Sequence, residues 1–327
     1  MDIKLGFDLN CFTNRLPEPE RWTDFVAACG VKVVQFNFDL IDFMLPRTLQ
    51  ERLVEKTLAC CQAKGIRIKC AYGGHNHHQN YLGYPDNEVA LAYEDYYMRM
   101  ADLTAALGGE GFGTMFAVLT TATQNDPIQR ELIIARATES YFRLAHYAKG
   151  KKLKYMLYEI ASVPREVGAT FAENDALLQR LEGTEVPMRL CLDVGHRNQE
   201  FPENGQADPY AWIRRYGKVA PVIHIQQTNA STSNHWPFTP EYNALGDIQP
   251  EKVLQAIADS GARQEILLAF EIRLKAYYPD EYQVENNLTA SVQYWRQWVK
   301  DLSRRSLNVR KPGNFQPNPA RNPDRAG

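Results

Sequence analysis

Eight short apolar runs, each followed by a stretch of helical spacing, constrain this chain more than any other feature. The runs occupy 3–9, 32–38, 66–72, 112–119, 153–160, 188–194, 220–227 and 265–272 and have the composition of β-strands. Between and after them, apolar residues recur every three or four positions over 18–29, 48–64, 87–107, 127–149, 173–182, 208–217, 250–259 and 284–302. The punctuation agrees. Thr48 and the pair Asp126-Pro127 stand at helix starts, Pro250 just inside one, and Gly30, Gly65 and Gly261 just past helix ends. Eight strands alternating with eight helices is the count of an α/β fold of the (β/α)8 TIM-barrel type. A doubly wound sheet also alternates, so the count alone leaves that choice open.

No internal repeat and no linker rich in Pro, Gly or Ser interrupts residues 1–302, which read as one catalytic domain. Residues 303–327 are rich in Arg, Lys, Asn and Pro and carry almost no apolar pattern, so they are expected to form a flexible tail or an arm packing on a partner subunit of a homo-oligomer. A net charge of −2 argues against nucleic acid as a partner held by bulk electrostatics. No apolar run approaches the roughly 18 residues of a membrane span. The N-terminus enters a strand pattern with no secretory apolar region, and the six cysteines include no C-x-x-C pair. Reduced thiols and a cytoplasmic location are therefore expected. Cys60 and Cys61 fall inside a helix, which argues against a nucleophile there. The glycines of 108–113 precede a strand and open no helix, so the dinucleotide-loop reading fails.

Four strand ends carry the chemistry. Strand five ends at Glu159, strand six at Asp193, strand seven contains His224 and strand eight ends at Glu271. In a barrel these ends converge on one face, so residues distant in sequence become neighbours. A carboxylate after an apolar run is costly to bury without a cation, and here consecutive units each supply a candidate ligand. Three carboxylates and one imidazole suit a hard or borderline divalent ion, Mn²⁺ ahead of Mg²⁺, Co²⁺ or Zn²⁺. The chain offers no thiolate set for a structural zinc.

With this quartet and the Asp-x-x-His pattern of Asp193 and His196, the chain resembles the xylose-isomerase-like sugar phosphate isomerases and epimerases, the ketose 3-epimerases among them. The resemblance extends over roughly residues 1–300 by strand and helix order. It implies one divalent ion on Glu159, Asp193, His224 and Glu271, with Glu159 and Glu271 exchanging a substrate proton and His196 contacting a substrate oxygen. The chemistry is consistent with that implication. Removing a proton beside a ketone leaves charge on two adjacent oxygens, which a divalent ion stabilises, and epimerisation needs an acid/base group on each face of the carbon. Epimerase and aldose–ketose isomerase need the same parts, so the residues leave that choice open.

The segment 228–238 after strand seven, rich in hydroxyl, amide and aromatic groups, is expected to roof the site and bind a small sugar or sugar phosphate, with His235 its most telling member. Arg165, Arg197, Arg273 and Lys275 lie near the candidate ligands and are further phosphate partners. This loop and its His235-Trp236-Pro237-Phe238 segment most resemble the tetrulose-phosphate 3-epimerases, which makes a carbohydrate epimerase of that kind the most specific expectation. A free-ketose 3-epimerase, an aldose–ketose isomerase and a dehydratase of a polyol-derived ketone remain alternatives. An endonuclease IV-like nuclease ranks lower, because strand four carries no histidine at 116–121 and Ser233 stands where an aspartate is needed. A non-catalytic binding barrel is disfavoured by the complete quartet. The histidines at 75, 77 and 78 read as substrate-contacting or surface groups ahead of a second metal site.

Overall fold

The computed structural model describes residues 2–43, 45–73, 79–160, 163–197, 205–230 and 232–308. Seven parallel strands follow in order: β1 (Asp2–Asp8), β2 (Val33–Asn37), β3 (Arg67–Tyr72), β4 (Gly111–Met115), β5 (Tyr155–Glu159), β6 (Met188–Asp193) and β7 (Val222–Ile225). A short antiparallel hairpin, β8 (Gln227–Asn229) and β9 (Thr232–Trp236), intervenes before the last barrel strand, β10 (Glu265–Phe270). β10 pairs with β7 on one side and β1 on the other, which closes the sheet. The TIM-barrel reading is therefore correct.

Helices cover the outside: α1 (Pro19–Ala28), α2 (Arg47–Lys64), α3 (Asn87–Ala106), α4 (Thr121–Gln124), α5 (Pro127–Gly150), α6 (Phe171–Arg180), α7 (Pro209–Tyr216), α8 (Pro240–Leu245), α9 (Pro250–Asp259) and α10 (Val284–Asn308). Asp126 caps α5 by accepting from the N–H groups of Ile128 and Gln129 at 3.0 and 3.1 Å, a bond pair typically contributing about 1 kcal/mol. Gly65 closes α2 in the left-handed region, at φ 62°. Thr48 does not cap α2. The helix begins one residue earlier, behind Pro46. The sequence pattern ends α10 at 302, whereas the helix runs to Asn308, and residues 309–327 lie outside the described residues.

The strands are buried on both faces, which is why they read as apolar runs without alternation. Their two faces still have different partners. Leu190, Leu192, Ile223, Ile225, Leu268 and Phe270 belong to the main core under the helices. Tyr155, Leu157, Cys191, Val222, Leu267 and Ala269 fill the barrel interior. With a period of two, the next inward positions towards the strands' C-terminal ends are Glu159, Asp193, His224 and Glu271. Asp193 and His224 are also direct register partners across β6 and β7. Strand parity thus aims all four side chains at one point above the plug.

The plug needs space at β4. A Cβ on Gly113 would lie 2.0 Å from the carbonyl oxygen of Leu157 and 2.6 Å from its Cβ. Gly113→Ala is expected to destabilise by about 2–3 kcal/mol, at the upper end of the overpacking range, because a backbone oxygen cannot give way cheaply. Thermal melting checks this. A variant melting within a degree of the parent protein would mean that β4 and β5 separate more easily than their register suggests.

Candidate metal centre

Glu159, Asp193, His224 and Glu271 each offer a ligand atom, and these atoms all lie within 4.8 Å of one another. Nδ1 of His224 is 3.1 Å from Oε1 of Glu159, 3.1 Å from Oε2 of Glu271 and 3.9 Å from Oδ2 of Asp193. On the far side of the ring, Nε2 meets Oε1 of Gln35 at 2.6 Å and Sγ of Cys191 at 3.3 Å. In neutral imidazole that contact puts the proton on Nε2, so the Nδ1 lone pair faces the carboxylates. Glu159 Oε2 accepts from the Tyr72 hydroxyl at 2.8 Å, and Glu271 Oε1 accepts from Arg273 at 2.9 Å. Glu271 Oε2 is buried and, among the described residues, has no hydrogen-bond partner beyond its 3.1 Å approach to His224 Nδ1.

These features fit a hard divalent cation. Three convergent carboxylates, one oriented lone pair and an orphaned buried oxygen are what such an ion satisfies. Cys191 adjoins the cluster, but burial pushes its thiol far up, so it stays neutral and adds no thiolate.

The electrostatics state the same need. Burial pushes the Asp193 carboxyl up to about 7, and it pushes Asp8, at the inward end of β1, up to about 7 as well. Burial would also raise Glu159, yet the imidazoles of His196 and His224 hold it down to about 2. Burial opposes protonation of His196, but Asp193 and Glu159 carry it up to about 9. His224 rises well above its ordinary value against burial, because the Glu271 and Glu159 carboxylates face its ring. Protons on imidazoles balance the carboxylates in the protein alone. Metal uptake must displace the His224 proton, so affinity for Mn²⁺ is expected to fall about tenfold per pH unit as pH drops, and more steeply below about 7 where Asp193 also protonates. Calorimetry in two buffers of different ionisation enthalpy would read the released protons. An affinity constant between pH 6 and 8 would contradict this.

His196 and His235 stand beside the quartet. His196 Nδ1 is 3.2 Å from the Ile160 carbonyl oxygen and 3.4 Å from Glu159 Oε1. His235, on β9 at φ 51°, sets Nδ1 3.2 Å from the Glu271 carbonyl oxygen, and its ring centroid lies 6.0 Å from that of His196. Burial pushes His235 down to about 4, so it is neutral. The four cationic candidates fare differently. Arg273 is at the site, through Glu271. Arg197 is buried with its guanidinium fork on the Asp247 carboxylate, so its group is already matched. Arg165 is exposed and donates to the Leu119 carbonyl at 2.8 Å, while Lys275 lies out over the Tyr277 ring. The segment expected to be a roofing loop folds into the β8–β9 hairpin. Ser231 and the histidines at 75, 77 and 78 lie outside the described residues.

Sequence reasoning missed Asp8, Gln35, Tyr72, Glu166 and Gln226. All five are buried polar or aromatic groups near the quartet or next to His196. A separate cavity of about 530 Å³ opens at the other end of the barrel among Arg67, Lys69, Glu110, Arg189, Lys218 and Glu265. Lys69 and Arg67 are paired with Glu265 there, at the end of the barrel away from the quartet.

Residues 23–298 match the xylose isomerase-like TIM barrel family, and the chain belongs to it. It is 33% identical over 313 residues, 94% of this chain and 100% of the relative, to the D-erythrulose 1-phosphate 3-epimerase of Brucella abortus (strain 2308). Among solved structures it is similar to a Rhodospirillum rubrum protein provisionally assigned as a xylose isomerase, with TM-score 0.82, 28% identity, and coverage of 90% of this chain and 99% of that one. It also shares its fold with the D-psicose 3-epimerase of Clostridium cellulolyticum H10, with TM-score 0.66, 14% identity, and coverage of 90% and 99%.

Proposed function

We propose that this protein is a divalent-metal-dependent 3-epimerase of a small ketose phosphate, with D-erythrulose 1-phosphate the best-supported substrate. The observation that carries the reading is the pair of glutamates, each with a carboxylate oxygen 3.1 Å from His224 Nδ1, within a buried ligand cluster. The relative over almost the full chain, named for that activity, supports the substrate.

Glu159, Asp193, His224 and Glu271 would hold the ion, with Mn²⁺ the first choice for three oxygens and one nitrogen. When bound, it supplies positive charge beside the oxygens on which an enediolate's charge collects. The residues do the rest. Glu271, whose carboxylate reaches the cluster through Oε2 and Arg273 through Oε1, takes the proton from the carbon next to the carbonyl. Glu159, fixed by the Tyr72 hydroxyl, enters the turnover protonated and gives that proton to the opposite face, after which both glutamates exchange protons with solvent. His196 and His235 line the approach and orient substrate oxygens. Arg273, with its side chain 38% exposed beside Glu271, is the cation best placed for phosphate, with Lys275 and Arg165 farther out. Arg197 acts through Asp247, by holding the chain that follows the hairpin.

A phosphate remote from the reacting carbon gives binding energy that can be used to position that carbon. A panel of free ketoses and ketose phosphates, assayed with Mn²⁺, is expected to show a kcat/KM at least about 100-fold higher for the phosphates, or about 2.7 kcal/mol. His235→Ala should lose most of that preference. Free five- or six-carbon ketoses turning over as well as any phosphate ester would overturn the phosphate reading and place the enzyme with free-ketose epimerases.

A further inference from the structure

Gln226 sits at the break between β7 and β8, completely buried among charged neighbours. Its amide faces two ways. Nε2 donates to both oxygens of Asp193, at 2.9 and 3.1 Å, while Oε1 accepts from the His235 N–H at 2.6 Å and the Ser233 hydroxyl at 3.2 Å. The His235 partner fixes this orientation, because a backbone N–H only donates and so requires the amide oxygen. Gly195 makes room for it: a Cβ there would lie 2.6 Å from the amide carbon and nitrogen. The N–H groups of Gly195 and His196 also donate to Asp193 Oδ1. Three donors therefore occupy Oδ1, while Oδ2 takes the longer Gln226 bond and faces His224 Nδ1 at 3.9 Å.

We infer that Gln226 is a positioning residue that ties the Asp193 carboxylate to the hairpin carrying His235, so that metal affinity and substrate placement depend on one amide. The inference rests on the reading of the quartet as a metal site. Through it the β8–β9 hairpin is registered against the strand-six ligand. The same hairpin reaches the strand-eight ligand through His235, whose carbonyl also accepts from the Arg273 N–H at 3.0 Å. A buried hydrogen-bonded network of this kind holds a ligand oxygen in place, and losing such an outer partner typically weakens metal binding about 10–100-fold.

Competition of Mn²⁺ against a fluorescent chelator, with kcat and KM at saturating Mn²⁺, tests this on the full chain. Gln226→Leu keeps roughly the size but loses all four bonds. It is expected to weaken Mn²⁺ binding about 10–100-fold and to raise KM severalfold even when loaded. Gly195→Ala keeps the amide's chemistry but displaces it, and should move both quantities the same way; it carries the test if Gln226→Leu does not fold. His235→Ala keeps the backbone N–H that Gln226 bonds, so it should raise KM with Mn²⁺ affinity within about threefold of the parent protein. Folded Gln226→Leu or Gly195→Ala protein with unchanged Mn²⁺ affinity would overturn the inference, as would weakened affinity with an unchanged KM. A parent protein that binds no Mn²⁺ would instead overturn the metal reading beneath it.

Discussion

Glu271→Gln is expected to lower kcat about 10³-fold at saturating Mn²⁺, the middle of the range for removing a general base. The substitution preserves shape, and its Oε1 position can still accept from Arg273, which is 2.9 Å away in the parent protein. What disappears is the carboxylate charge, and with it the proton acceptor, at the oxygen that faces His224. Metal content measured on the same sample separates the two roles of this residue, because a loaded but inert variant has lost the base and an empty one has lost the ligand. A loaded variant keeping more than about a tenth of the parent rate would place the proton-transfer group elsewhere.

Asp193→Asn is expected to cost at least about 100-fold in Mn²⁺ affinity, above the usual effect of outer-shell changes, and activity should fall with it. The reason is local. Oδ1 of Asp193 is surrounded by the donors of Gly195, His196 and Gln226, and Oδ2 is 3.1 Å from Gln226 Nε2. An asparagine must set its NH₂ against donors in either orientation, besides giving up the charge. Equilibrium dialysis followed by metal analysis reads the effect. Full occupancy and full rate in this variant would remove Asp193 from the ligand set.

The barrel was legible because its parts obey local rules. Asp126 caps α5, Pro250 opens α9 and Gly65 closes α2 where the sequence places those signals. The ligand candidates were legible because a charged residue at the end of an apolar strand is conspicuous. The neutral supports were not. Gln35 and Tyr72 lie inside strands buried on both faces, so no alternation marks which side chains point inward. A signal did exist. Counting back by two from each candidate ligand gives the inward rows, and the same parity applied to β1 and β3 ends on Asp8 and Tyr72. The hairpin was hidden for another reason. The apolar run 220–227 reads as one strand, but the barrel ladder stops at Ile225 and Gln226 turns inward to Asp193, which starts a new strand in a separate sheet. That break is set by a tertiary bond between β6 and the end of β7, and a one-dimensional pattern cannot carry it. Arg197 shows the converse, since its place beside His196 suggested a ligand contact while the chain uses it to hold Asp247.

The central claim is proton exchange at one carbon of a ketose phosphate by a metal-loaded site. Its most direct measurement is NMR of D-erythrulose 1-phosphate incubated with the Mn²⁺-loaded protein in deuterated water and then freed of metal, with stereochemical analysis of the product. The account predicts one deuterium at the carbon beside the ketone that bears the hydroxyl, appearance of the opposite configuration at that carbon, and loss of both with a chelator or in Glu271→Gln. Inversion or isomerisation with no solvent deuterium in the product, or full activity after the metal has been stripped, would contradict it.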